Sequence, residues 1–351
     1  MLSFGSEPPD AIAGVRERSV PHGLLPAIAA NLAAPDPLLP MQVRLYLSRR
    51  MHAVVRDEIA SHRPDVVHVT LARLAPYIRG LPAEVHLHVD FVDALSLNMF
   101  TRARGSRFPA SAAFALEARL MARYEARVAA LADSASVVSE RDRLASPGLA
   151  SAAVIPNGVD LDELAFLPPA ERAPVALFFG NLGYFHNVQP ARLAALEVLP
   201  RLRGRAPDVS LRIAGARPAA AVMELAERDR VEVAPDVPSM LAELHRAGVA
   251  ILPAISGSGM KNKVLEAFAA GTPVVTNPAG IDGVVGAERG IHYLEADGPD
   301  ALAEACATLL ESADERMRIA TAARKLVEES YSWDSRAEAM LELYGEQGSR
   351  R

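Results

Sequence analysis

The segment Ile255-Ser-Gly-Ser-Gly-Met-Lys-Asn-Lys-Val-Leu-Glu266 concentrates groups suited to holding an anion beside a polyol. Gly257 and Gly259 permit close approach of backbone to a ligand. Lys261 and Lys263 add positive charge that can meet phosphate oxygens. Glu266 lies one turn further on, where a carboxylate can accept hydrogen bonds from two vicinal hydroxyls, as on a ribose. The segment follows the apolar run Val249–Leu252 and enters a helical stretch, Lys261–Ala270, closed by Gly271. A strand–loop–helix start of this kind presents unpaired N–H groups and the positive end of the helix dipole to a diphosphate. The plainer alternative is that Glu266 caps or ion-pairs a helix and both lysines are solvated.

A second loop, Gly180–Asn187, follows the apolar run Val175–Phe179. Gly180, Asn181 and His186 can contribute to phosphate binding there, while Asn187 is expected to be the N-cap of the next helix. In the first half, His86, His88, Asp90 and Asp93 surround the end of the strand candidate Val85–Val89. Carboxyl ends of parallel strands are where open αβ sheets bind ligands; the alternative is that these histidines simply alternate along a strand. Asp160-Leu-Asp162 has the form of a metal-binding Asp-X-Asp, but a turn before it and a helix-like stretch after it favour N-capping. The histidines at 52, 62, 68, 86 and 88 lack zinc spacing, so no metal is expected. Cys306, the one cysteine, reads as a small buried apolar residue and excludes an intrachain disulfide.

The elements that must position these groups alternate between β-branched runs and amphipathic helices. Strands are expected at Asp65–Thr70, Val85–Val89, Ser136–Ser139 and Ala153–Ile155. They continue at Val175–Phe179, Ser210–Ala214, Val231–Val233, Val249–Leu252, Pro273–Thr276 and Ile291–Leu294. Helices are expected over Met41–Ser61, Ala110–Leu131, Val188–Leu202, Lys261–Ala270 and Asp334–Tyr344. Nearly all-apolar strands alternating with helices imply parallel sheets covered on both faces. The Pro156-Asn-Gly-Val-Asp160 turn and the Pro168-Pro169 pair mark the division. Residues 1–160 form a first Rossmann-like domain, 161–330 a second, and 331–351 a closing helix. The first domain lacks the central strand and Gly-bearing turn of a doubly wound sheet, since only Met1–Gly5 precedes Asp65 as a strand. A start codon assigned too far downstream is the favoured reading, a naturally shortened chain the other.

The 351 residues carry 37 Lys plus Arg against 43 Asp plus Glu, a formal charge of −6, which argues against a general nucleic-acid binder. No run reaches the ~18–20 apolar residues of a membrane span, and no signal pattern opens the chain, so the cytoplasm is the default. Charge is unevenly spread: residues 41–130 hold 13 arginines and 8 acidic residues. Within them Asn98-Met-Phe-Thr-Arg-Ala-Arg-Gly-Ser-Arg-Phe108 interleaves arginine with apolar side chains. It reads as a solvated loop or as a surface for anionic lipid or an anionic acceptor.

Together, the 255–266 segment, Pro156-Asn-Gly-Val-Asp160 and Tyr331-Ser-Trp333 resemble the retaining glycosyltransferases of the GT-B fold, family four (group 1). Arg123-Tyr-Glu125, Val138-Ser-Glu140 and Phe179-Gly-Asn-Leu-Gly-Tyr-Phe-His-Asn-Val188 add to this, and the resemblance runs from about Pro64 to the C-terminus. More narrowly the chain resembles exosortase-associated sugar transferases of exopolysaccharide clusters. The resemblance implies two Rossmann-like domains facing a cleft, a UDP- or GDP-linked sugar donor and a sugar, lipid-linked or small-molecule acceptor. It implies no cofactor, and a final helix that crosses back to the first domain with Tyr331 and Trp333 as packing anchors. Peripheral contact with the inner face of the membrane through the basic first domain is a further expectation.

Family members usually carry two glutamates separated by seven residues, the first on the donor sugar and the second on the ribose. Here Glu266 is the second, and Ser258 takes the first position. The family's phosphate-binding Arg and Lys fall on Asn181 and His186, which donate hydrogen bonds without permanent charge; Lys261 or Lys263 can supply it. A first-domain residue, often His, reaches the donor in the family, and Asp90 matches it, so Asp90 and Ser258 are the candidate catalytic pair. Two other readings stay open: a non-catalytic or partner-dependent nucleotide-sugar-binding protein, and a GT-B-type epimerase.

Overall fold

The computed structural model describes residues 1–4, 14–23, 28, 36, 38–254 and 261–348. The chain divides into two compact units, Met1–Ile155 with Ala339–Arg351, and Pro156–Glu338.

In the first unit β1 (Leu2–Phe4) pairs in parallel with β2 (Arg18–Val20) as a separate ladder. The main sheet is wholly parallel and runs β3 (Val66–Thr70), β4 (His86–Asp90), β5 (Ser134–Val137), β6 (Ala153–Val154), in that order. Among the described residues no strand pairs with the outer edge of β3. Val69, Leu87, Val89 and Val137 point to one face, where Met121 and Val128 of the helix Ala110–Ala129 cover them. Val20 packs with Met51, Val54 and Tyr77 in a smaller cluster.

In the second unit six parallel strands lie in the order β12-β11-β10-β7-β8-β9. These are β7 (Ala173–Phe179), β8 (Ser210–Gly215), β9 (Val231–Pro235), β10 (Ala247–Ile251), β11 (Val274–Thr276) and β12 (Leu294–Glu295). The two-residue period of a strand sorts β7 into two cores. Ala176 and Phe178 join Val198, Leu202 and Leu309 on one face; Leu177 and Phe179 join Val264, Phe268 and Tyr331 on the other. Burial on both faces is why these strands read as unbroken apolar runs rather than alternating ones. Cys306 is fully buried in the first of these cores.

Several elements differ from the sequence expectation for identifiable reasons. The 41–61 helix is two, Met41–Arg44 and Arg49–His62, because the Ser48 hydroxyl accepts from Met51 N–H and starts a new helix. The 188–202 helix starts earlier, at Phe185, and is divided by a π turn over Ala194–Val198, close to Pro190 and Pro200. Residues Asn98–Gly105, expected as a loop, belong to the helix Leu95–Gly105, and β2 had no expected counterpart. The helix is pinned from a distance: the Glu125 carboxylate accepts from Ser96 N–H and hydroxyl at 3.1 and 2.6 Å. In place of a strand over Ile291–Leu294, Leu294–Glu295 joins the sheet, since Ile291 and His292 turn back to Glu288 and Tyr293 makes only an isolated bridge to Arg289.

The segment after Pro168-Pro169 is held by buried guanidinium groups. Arg316, 7 % exposed, donates to the carbonyls of Pro169, Ala170, Leu309 and Leu310. Four acceptors on one side chain make it a tie between the entry to β7 and the helices Pro299–Glu311 and Ala313–Ser330. Arg316→Met is expected to cost about 3 kcal/mol of stability by stranding those carbonyls. A urea titration checks this; an unchanged midpoint would refute the role.

Candidate functional site

The helix Asn262–Ala270 and the loop after β7 form the candidate site. The helix ends as its composition demands: Gly271 takes a left-handed conformation (φ 77°), and Thr272 N–H returns to the Ala267 carbonyl. At its other end Lys261 occupies the cap position with no capping side chain. The N–H groups of Asn262 and Lys263 have no acceptor among the described residues. Gly257, Ser258 and Gly259 lie outside the described residues.

Lys263 links the two parts of the site. Its Nζ donates to Asn187 Oδ1 at 3.2 Å and sits 4.8 Å from the centre of the Phe178 ring. Its helix packs on one face of the sheet and Phe178 points to the other, so the ammonium crosses the carboxyl end of β7. Enclosure lowers its pKa to about 8, the charge of Lys261 adding to the shift and Glu266 opposing it. Burial raises the pKa of the Glu266 carboxyl, with Lys263 pulling the other way.

Asn187 is not the expected N-cap. The helix begins at Phe185 with Tyr184 at the cap position, so Asn187 already lies within it. Its Nδ2 donates to the Asn181 carbonyl at 3.0 Å, leaving Oδ1 for Lys263. Asn181 folds back on its own loop, its Oδ1 accepting from Gly183 N–H at 3.2 Å. The His186 ring lies against Tyr184, centroids 4.9 Å apart. Gly180 follows β7 at φ 140° beneath Asn187. The structure thus brings Gly180, Asn181, His186, Lys261, Lys263 and Glu266 onto two adjacent segments of the second unit.

Three sequence motifs meet around that helix. Asn157 Nδ2 donates to Asn262 Oδ1 at 3.1 Å, Val159 N–H donates to the Tyr331 carbonyl, and a Cβ on Gly158 would lie 2.8 Å from the Trp333 ring. Tyr331 is buried and donates to the Val285 carbonyl, whereas Trp333 is 54 % exposed. Asp160 Oδ1 accepts from the N–H groups of Asp162 and Glu163, capping a single turn rather than a helix. Sequence reasoning missed Phe178, Asn187 as a partner of Lys263, and Asn277. The Asn277 side chain both accepts from Ala254 N–H and donates to its carbonyl, fixing the exit from β10.

Asp90 belongs to the first unit, at the carboxyl end of β4. Its Oδ1 accepts from Val92 N–H and the Ser136 hydroxyl, both at 3.0 Å. His86 and His88 share the Ser134 hydroxyl, and His68 Nδ1 lies 2.6 Å from the Tyr344 hydroxyl. His88 is fully buried, which lowers its pKa to about 4, aided by His68 and His86. These histidines form a packed polar cluster around Tyr344. Asp93 follows in the chain; Ala94 N–H beside it donates to Asp142. A groove of about 840 Å³ in this unit, lined by Ile78, Arg79, Leu87, Tyr124 and Arg127 among others, holds none of the predicted site residues.

Two units, each a parallel sheet covered by helices, make a GT-B type of architecture. Residues 173–312 match the family described as "Glycosyl transferases group 1". Glycogen synthase of Mycobacterium tuberculosis is 34% identical over 223 residues, covering 60% of this chain and 52% of that protein. The chain therefore spans about half the length of that relative. Phosphatidyl-myo-inositol mannosyltransferase of the same organism is 27% identical over 350 residues, covering 92% of this chain and 85% of its own. Sucrose-phosphate synthase from Thermosynechococcus elongatus superposes with a TM-score of 0.68 at 16% identity, covering 100% of this chain and 89% of that one. The chain thus has the fold of these glycosyltransferase structures, GT-B, and the match to the group 1 glycosyl transferases lies in its second unit, over residues 173–312.

The candidate site depends on a close approach of strand ends. Gly215, at φ 149°, is placed so that an added Cβ would lie 1.8 Å from the Gly180 carbonyl oxygen. Gly215→Ala is expected to cost about 3 kcal/mol or more and to displace the Gly180 loop. Gly298→Ala, strained in φ but with open space around it, should cost only about 1 kcal/mol. Thermal melts of both variants check the contrast, and equal losses would count against the close approach.

Proposed function

We propose that the protein is a retaining glycosyltransferase that takes its sugar from a nucleoside diphosphate sugar. The observation that carries this reading is Lys263, held at the end of β7 on the same helix as Glu266. The diphosphate lies against the N–H groups at the start of that helix, with Lys261, Lys263 and the Gly180–His186 loop, including Asn181, around it. Glu266 accepts from the ribose hydroxyls. Gly257 and Gly259 permit close approach, while Ser258 and Asp90 meet the donor sugar, Asp90 through Oδ2. That oxygen has no hydrogen-bond partner among the described residues.

In the transfer step the bond between the anomeric carbon and the β-phosphate oxygen breaks, and its electron pair stays on that oxygen. An acceptor hydroxyl bonds to the same face of the anomeric carbon and passes its proton to the departing phosphate. The cradle stabilises the charge that develops on the leaving group, so no protein nucleophile is needed. The acceptor is a sugar, lipid-linked or small molecule of polysaccharide or glycoconjugate synthesis, on the lines of the exopolysaccharide group. The enzyme works in the cytoplasm or at the inner face of the membrane. Among the described residues no helix is long and apolar enough to cross a membrane.

A second reading, a nucleotide-sugar-binding protein without activity of its own, draws on Asn181 and His186, which bring no permanent charge to the phosphates. A donor-hydrolysis and transfer screen separates the two. Turnover with product of the donor's anomeric configuration supports the first; nucleotide binding without turnover of any donor supports the second.

Glu266→Ala should weaken UDP or GDP binding about a hundredfold in calorimetry while the circular dichroism stays native. Unchanged affinity sinks its role at the ribose. Lys263 predicts a pH dependence. With its pKa lowered to about 8, it is cationic below that pH and neutral above it. A nucleotide sugar keeps its diphosphate charge across this range, so its affinity should fall as pH rises through about 8. Lys263→Met should bind weakly and with a flat profile; a wild-type profile without that fall refutes the contact.

A further inference from the structure

The helices Leu95–Gly105 and Ala110–Ala129 pack against each other as a hairpin, and its tip carries no site residue. Phe108, between the two helices, is 83 % exposed, and Phe100 and Leu116 are exposed as well. Arg102, Arg104 and Arg107 are exposed around them, and the Arg104 guanidinium lies 4.6 Å over the Phe100 ring. No acidic residue occurs between Asp93 and Glu117. Glu117 is buried and occupied by the N–H groups of Met41 and Gln42. Among the described residues no ion pair neutralises the three arginines. The grip of Glu125 on Ser96 sets the first helix in place.

A large aromatic side chain left in water beside three arginines with no ion pair among the described residues, on a chain whose net charge is −6, is a local feature requiring its own partner. Aromatic rings settle at the headgroup level of a bilayer, and arginines flanking them meet lipid phosphates. A nucleic acid offers the charge but no apolar layer for Phe108. We propose that the tip of this hairpin docks the first unit on an anionic lipid surface. Phe108 enters the headgroup region while Arg102, Arg104 and Arg107 contact lipid phosphates. This deepens the membrane contact in the functional reading above, and its test is independent of transfer activity.

The full chain is sedimented with vesicles of phosphatidylcholine alone, and with vesicles in which about a third of the lipid is phosphatidylglycerol. Binding is expected to the anionic vesicles only and to weaken with added salt. Phe108→Ser, and separately the triple variant R102Q/R104Q/R107Q, should each lower partitioning about tenfold or more. Both should retain native circular dichroism and unchanged nucleotide affinity, since the substituted side chains are exposed and lie outside the nucleotide cradle. Equal binding to both vesicle types, no binding to either, or undiminished binding by both variants overturns the proposal. So does complete displacement by millimolar glycerol phosphate, which would make the tip a small-anion site, or tighter binding to a DNA oligonucleotide than to the anionic vesicles.

Discussion

The candidate cradle depends on one side chain crossing the end of a sheet. Lys263 starts on a helix that covers one face of the second unit, passes the carboxyl end of β7 and ends between Phe178 and Asn187. Holding an ammonium there has a desolvation cost, visible as a pKa lowered to about 8, and the aromatic face and the amide oxygen offset only part of it. A dianionic ligand would complete the compensation. The group is therefore a poor choice for stability alone, which supports the proposed phosphate contact.

What surrounds Lys263 is built to leave that position fixed. Gly215 lets β8 approach Gly180, Asn187 braces the Asn181 carbonyl, and Asn277 holds Ala254 at the exit from β10. Asn157 reaches Asn262 at the opening of the helix itself. Apart from the local Asn187–Asn181 bond, these contacts join residues distant in the chain, so the geometry is set largely by the packed unit rather than by either loop. Arg316 acts in the same way further out, collecting two carbonyls where the chain enters β7 and two at the end of the helix Pro299–Glu311.

The first unit uses buried carboxylates and hydroxyls for positioning. Glu125 starts the helix Leu95–Gly105, Glu117 receives the N–H groups of Met41 and Gln42, and the Ser139 hydroxyl caps the helix Glu140–Ala145. Glu125 and Ser139 lie in motifs that carry the resemblance, and their partners give them a part in the architecture. Asp90 combines both aspects, since one oxygen closes a turn and receives Ser136 while the other has no protein partner among the described residues.

The parallel αβ architecture, most of the strands and the Gly271 stop were legible from residue order, because burial on both faces and left-handed termini impose local signatures. So was the placing of Lys263 and Glu266 on one helix face, which follows from their spacing of three. Other features carry no local signature. The helix over Leu95–Gly105 is anchored by a carboxylate some 30 residues away. Asn187 has ordinary capping chemistry in sequence, and its real use is set by Lys263, 76 residues further on. His68, His86 and His88 alternate like any strand residues until Tyr344 closes over them. Composition and periodicity report what each residue prefers within a few turns of chain. Which partner satisfies a buried polar group is decided by packing, and there the candidate site acquired Phe178, Asn187 and Asn277.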